Sequence, residues 1–273
     1  MSKLIFLSHI HEESQLALYI QRAIEDEFSG FVEVFVSSDG KTIPAGANFL
    51  KRIETGLMDC VAALYLISPV SVKRNWVNFE LGAVWIRNSI SVKDGGSEIP
   101  TIPICHSGIT PSTLPMPLVN LSAILASNSS QLESSFKSIQ AAVGGKGKLK
   151  TDFDSLAEAV AKFEQQYTLG EHFIALFKVI GVSKDEMSKV IAQCVQLGKD
   201  KIFELKLGRR TKDTFQPLLD LETKELNGHI KVFTEDSKLH LGATGAIPNA
   251  EVTVKVKTDD IIDLQALLIK AII

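Results

Sequence analysis

Cys60-Val-Ala-Ala-Leu-Tyr-Leu-Ile67, closed by Ser68-Pro69, is eight residues without a charge. A continuous apolar run of this length, ended by a turn signal, marks a strand covered on both faces, as strands of parallel sheets are. Two similar runs lie upstream: Leu4-Ile-Phe-Leu7, which stops at Ser8-His9, and Phe31-Val-Glu-Val-Phe-Val36. A fourth, Ile99-Pro-Thr-Ile-Pro-Ile104, lies downstream, and its prolines place it at an edge or near a strand end.

The segments between these runs carry helical spacing. Leu16, Ala17, Ile20, Ala23, Ile24 and Phe28 line one face of a first helix, and Phe49, Ile53 and Leu57 one face of a second. A third begins after Ser68-Pro69 with Asn75 as its N-cap. A short apolar segment from Leu118 to Leu125 and a helix over about residues 132–143 complete the series. Strands alternating with helices at this spacing, joined by right-handed crossovers, predict an α/β fold: a flavodoxin-like parallel sheet with helices on both faces.

At 273 residues and 45% apolar composition, the chain can bury a sizeable core. A net charge of -3 gives no electrostatic footprint for nucleic acid, and no apolar run is long enough to span a bilayer. Only four apolar residues follow Lys3 before polar ones resume, too few for a signal-peptide core, so a cytoplasmic protein is expected. Cys60, Cys105 and Cys194 are odd in number and set among apolar residues, which points to buried thiols rather than disulfides or a metal site.

Trp76 and Glu80 stand four apart in the third helix and therefore share a face. Alone, the pair is more often a packed aromatic with a solvated charge than a site. The order of the surrounding motifs separates these readings. Phe6-Leu-Ser-His9, the loop Ser37-Ser-Asp-Gly-Lys-Thr-Ile-Pro-Ala-Gly46 and Trp76-x-x-x-Glu80 together resemble the Toll/interleukin-1 receptor (TIR) domain family, best its bacterial branch, over about residues 1–143. The first stretch resembles the family's box 1 and the loop its BB loop. One departure is that Ile10-His11 stand where the family often has an aromatic residue or aspartate.

The resemblance implies a TIR fold and an NAD glycohydrolase with Glu80 as catalytic residue. Trp76, Ser8, His9, Ser38, Asp39 and Lys41 are then expected to bind substrate, against the simpler readings of packing for Trp76 and of turn or capping roles for the rest. NAD enters as substrate, and no cofactor or metal is expected. Its cationic nicotinamide departs neutral, so no acid is needed, and one carboxylate facing the ribose suffices to stabilise an oxocarbenium-like transition state. Attack by water gives ADP-ribose, attack by the adenine a cyclic product, and both stay open. Two other readings are a non-catalytic TIR adaptor and a nucleoside ribosyl transferase. His106, just past the fourth run, is a lone histidine that reads more readily as structural.

Gly144-Gly-Lys-Gly-Lys-Leu-Lys150 is a flexible basic stretch, and residues 144–152 are expected to be a linker between a TIR-like domain (1–143) and a regulatory, sensor or oligomerisation domain (153–273). In the latter, Leu156, Val160 and Phe163 mark one helix and Phe173, Leu176, Phe177 and Ile180 another. Ser183 and Glu186 form a capping box for a third, stopped near Gly198. The period then changes to two at Phe203, Leu205 and Leu207, and again at Val252, Val254 and Val256, predicting antiparallel strands in a smaller α+β domain. Gly208-Arg-Arg-Thr-Lys212 reads as a turn, solvated or anion-holding, and the apolar end Ile261–Ile273 as a buried helix or strand. The expected partners are further copies of the chain through the TIR domain, and a nucleotide or protein activator at the second domain, with no membrane and no nucleic acid.

Overall fold

The computed structural model describes residues 2–37, 49–236, 240–242, 245–247 and 249–271. The chain divides into two compact units, Met1–Gln165 and Gln166–Ile273.

The first unit is built on five parallel strands: β1 (Lys3–Ser8), β2 (Val32–Ser37), β3 (Cys60–Ile67), β4 (Thr101–Cys105) and β5 (Ile124–Leu125). Their order, β2-β1-β3-β4-β5, is that of the flavodoxin-like sheet. Ile5, Phe6 and Leu7 are fully buried, as a strand covered on both faces requires. β5 pairs with β4 only at Ile104 and Cys105. Pro103 therefore sits where the outer side of β4 has no ladder to supply, although β4 itself is not the edge strand.

Helices α1 (Ser14–Glu27), α2 (Phe49–Asp59), α3 (Asn75–Lys93) and α4 (Ser129–Val143) flank the sheet. Ile53 and Leu57 of α2, with Val77, Leu81 and Val84 of α3, pack against Phe6, Tyr65, Ile67 and Cys105 on one sheet face. α1 and α4 meet at Phe28 and Phe136. α4 keeps an Asn128 side-chain cap on the Gln131 amide and ends at Gly144 in the left-handed region. α3 lacks the expected Asn75 cap: Asn75 is its first helical residue, and Arg74 precedes it with no side-chain cap.

Phe163 and Phe173 lie in one helix, α5 (Phe153–Ile180), rather than in two: no proline interrupts the chain between them, and the isolated Gly170 is accommodated within the helix. The boundary between the compact units falls inside α5, beyond residues 144–152. The start of this helix is tied into the first unit: Glu27 accepts from the amides of Lys150 and Thr151, and Phe153 packs edge-on against Phe136.

The second unit continues with α6 (Lys184–Leu197), β6 (Ile202–Thr211), α7 (Lys212–Lys224), β7 (Ile230–Asp236), β8 (His240–Gly242), β9 (Gly245–Ile247), β10 (Asn249–Lys257), α8 (Thr258–Asp263) and α9 (Gln265–Ala271). β6, β10 and β7 form a three-stranded antiparallel sheet whose inner face carries Val252, Val254 and Val256. The Ser183/Glu186 capping box is present at α6. Gly208-Arg-Arg-Thr211 corrects one expectation: these residues are strand, not turn. The register shifts between Val252 and Thr253 opposite them, and Gly208 takes φ +68° there. Ile261, Leu264 and Leu268 bury the C-terminal helices in this unit's core. Among the described residues, no helix is long and apolar enough to cross a membrane.

Candidate functional site

All five strands of the first sheet run the same way, so their C-terminal ends share one edge, where open α/β sheets bind ligands. Ser37 ends β2, Ser8 ends β1, Ser68 follows β3 and His106 follows β4. Neighbours in register on parallel strands point to the same sheet face. Ser8 is in register with Ser37 on one side and with Tyr65 on the other, so three hydroxyl side chains form a row across β2, β1 and β3.

Glu80 comes down onto this row from the second turn of α3. Its side chain is fully buried. Ser8 Oγ donates to Glu80 Oε2 at 2.5 Å, and Ser37 Oγ donates to Oε1 at 2.8 Å. One helical turn back, the Trp76 indole N–H also donates to Oε1, at 2.8 Å. Among the described residues, three donors from β1, β2 and α3 converge on one buried carboxylate and fix its orientation. The indole ring stacks on Phe79, with centroids 5.0 Å apart. Trp76 thus orients the carboxylate as well as packing. A cavity of about 340 Å³ opens beside the site, lined by Ser8, His9, Ile10, Arg74, Asn75 and Trp76, among others.

A second buried carboxylate lies close in the chain to the first strand's end. Glu13, at the end of a 3-10 turn (His11–Glu13), is fully buried and accepts from the Ile10 amide at 3.0 Å and the Ser68 hydroxyl at 2.7 Å. His106 Nε2 stands 3.2 Å from the same carboxylate, and its Nδ1 is 3.0 Å from Ser107 Oγ. The Ser107 amide in turn donates to Glu164 of α5. Glu13 therefore ties the ends of β1, β3 and β4 together. No cluster of three metal-ligating side chains occurs among the described residues.

The description of the TIR domain family matches residues 5–139. Residues 5–139 are a TIR domain. A search of curated proteins returns no match. Among solved structures, the TIR domains in "Structure of the activated Roq1 resistosome directly recognizing the pathogen effector XopQ" are similar at 14% identity, over 59% of this chain and 98% of that one, with a TM-score of 0.31. So distant a likeness adds nothing to the family match.

Within the TIR domain, Glu80, Trp76 and Ser8 come together, and His9 lines the adjoining cavity. Ser38, Asp39 and Lys41 lie outside the described residues. Ser37, Tyr65, Glu13 and Ser68 escaped the sequence reading. The first two carry a readable signal, a hydroxyl at or near the end of an apolar run, but only strand register shows that they share a row with Ser8. The three thiols are all free and buried, and burial pushes Cys105 up to about 12 and Cys194 up to about 11, so neither is a thiolate at neutral pH.

Proposed function

We propose that the TIR domain hydrolyses NAD between nicotinamide and ribose, with Glu80 as the carboxylate facing the ribose. The observation that carries this reading is the fully buried Glu80 carboxylate, held by Ser8, Ser37 and Trp76 beside a cavity at the C-terminal edge of the sheet. A volume near 340 Å³ is at the small end of the range for ligand cavities, about 300–1,000 Å³. The serine hydroxyls occupy acceptor positions on the carboxylate that ribose hydroxyls can take over with little change in hydrogen-bond count. Once they do, the negative charge sits against the ribosyl centre in a site shielded from water, where its field is worth most. Nicotinamide leaves neutral, and water or the adenine of the same molecule completes the reaction. His9 and Arg74 border the cavity and are the side chains placed to meet the rest of the nucleotide.

We assign the second unit a regulatory role, switching the TIR domain on through a bound activator or through assembly of several copies. The chain is then a defence effector that depletes NAD on a signal. The test follows nicotinamide release from NAD by wild type and Glu80→Gln, at high protein concentration and under crowding. The expected result is a loss of at least about 100-fold in the variant, the scale of removing a group that stabilises transition-state charge. Equal release by the two proteins overturns the assignment.

The reading as a non-catalytic interaction domain has one observation in its favour. Leu50, Met58, Phe79, Ile86 and Ile90 line an apolar cavity of about 650 Å³ between α2 and α3, and all five are exposed. A patch of this kind marks interaction sites. Wild type without nicotinamide release, but with self-association lost on Ile86→Glu, would favour that reading.

A further inference from the structure

The row of hydroxyls beneath Glu80 has three members, and only two of them donate to it. Ser37 and Ser8 do so directly. The third, Tyr65, is fully buried, in register with Ser8 on the same sheet face, and packed with Val77 and Leu81 of the helix that carries Glu80. Among the described residues, its hydroxyl has no hydrogen-bond partner. A buried phenol that bonds to nothing is less stable than the phenylalanine that would fill the same space, so the oxygen calls for a state in which it is used.

Such a state follows from the chemistry of the site. A ligand can reach Glu80 only by displacing donors already on it, because the side chain is fully buried beneath them. Ribose hydroxyls that take the places of Ser8 and Ser37 leave the carboxylate without its anchors on the sheet. We propose that the Tyr65 hydroxyl is the positioning donor of this ligand-bound state, taking up the Glu80 carboxylate from the sheet side as Ser8 and Ser37 are displaced. The inference rests on the proposed reading of Glu80 as a ribose-facing carboxylate, and it adds a residue outside the tryptophan–glutamate motif. Burial above all, with the charges of Glu80 and Cys60 behind it, holds the phenol well above its usual value, so it stays an O–H donor at neutral pH.

The test is Tyr65→Phe in the full chain, with three readouts. Thermal stability is expected to stay level or rise, since the hydroxyl bonds to none of the described residues. In NAD cleavage, kcat is expected to fall roughly tenfold to hundredfold, the effect of one hydrogen bond to a charged group, with KM within about twofold. In wild type labelled with 3-fluorotyrosine, the Tyr65 resonance, identified by its loss in the variant, is expected to shift on addition of NAD. A clear drop in stability would place the hydroxyl in a structural bond and overturn the inference. An active wild type with unchanged kcat in Tyr65→Phe, or with an unmoved Tyr65 resonance, overturns it too, and leaves the reading of Glu80 standing. A wild type that releases no nicotinamide, even with candidate activators, refutes both.

Discussion

Replacing Glu13 by alanine is expected to destabilise the TIR domain more than any surface change in it. The side chain is fully buried and serves the Ile10 amide, the Ser68 hydroxyl and His106 Nε2 at 3.0, 2.7 and 3.2 Å. Ser68 retains Ser71 Oγ at 3.2 Å, so its loss is the smallest. The Ile10 amide loses its acceptor in the interior, at about 1–3 kcal/mol, the buried His106 ring loses the carboxylate beside it, and truncation leaves a void besides. The sum is about 3–5 kcal/mol, the range seen when one partner of a buried polar pair is removed. Urea unfolding reads this out cleanly, because both tryptophans, Trp76 and Trp85, lie in the first unit, so their fluorescence follows that unit. With a urea slope of about 1–3 kcal/mol per molar, the midpoint is expected to fall by roughly 1–5 M. Glu13→Gln keeps the shape and one acceptor oxygen, and is expected to lose about half as much. A Glu13→Ala midpoint corresponding to less than about 1 kcal/mol would refute the idea that this carboxylate ties three strand ends together.

Two further outcomes are open to direct measurement. In Gly170→Ala, the new methyl carbon would lie 2.1 Å from Leu267 Cδ2, so the Leu267 side chain must turn away; a loss near the low end of about 1–3 kcal/mol is expected, seen as faster amide exchange in α9, and unchanged exchange would contradict the packing of Leu267 on α5. Burial acts to raise the Glu27 carboxyl, but the Thr151 hydroxyl, the amides of Lys150 and Thr151 and the Lys150 charge together hold it below its usual value of 4.5. Its contribution to stability is therefore present above that value and lost as pH falls through the depressed one. The stability gap between wild type and Glu27→Gln should accordingly be open at neutral pH and narrow in acid, and a gap independent of pH would count against the interaction.

Much of the first unit was legible because its elements are punctuated locally. The apolar run at residues 60–67, the stop at Ser8-His9 and the three-six spacing of α1 each follow from how one short segment buries its own side chains. The same holds for the Ser183/Glu186 capping box, a contact between residues three apart. Where the reading failed, a longer-range contact decided. Gly208 with its arginines looked like a turn, yet β10 pairs across it and absorbs the irregularity as a register shift. α5 looked like two helices, yet it runs unbroken from Phe153 to Ile180, with Glu27 binding the residues that enter it.

The site divides in the same way. The spacing of Trp76 and Glu80 on one helix face is set by the 3.6-residue turn, and it was readable without any partner. That Glu80 is buried, and that it rests on Ser8 and Ser37, 72 and 43 residues away in the chain, was decided only when β2, β1 and β3 lay side by side in register. Local sequence specifies periodicity and caps because these depend on neighbours within a turn. Which hydroxyls meet a given carboxylate depends on strand order and register, and those are properties of the assembled sheet.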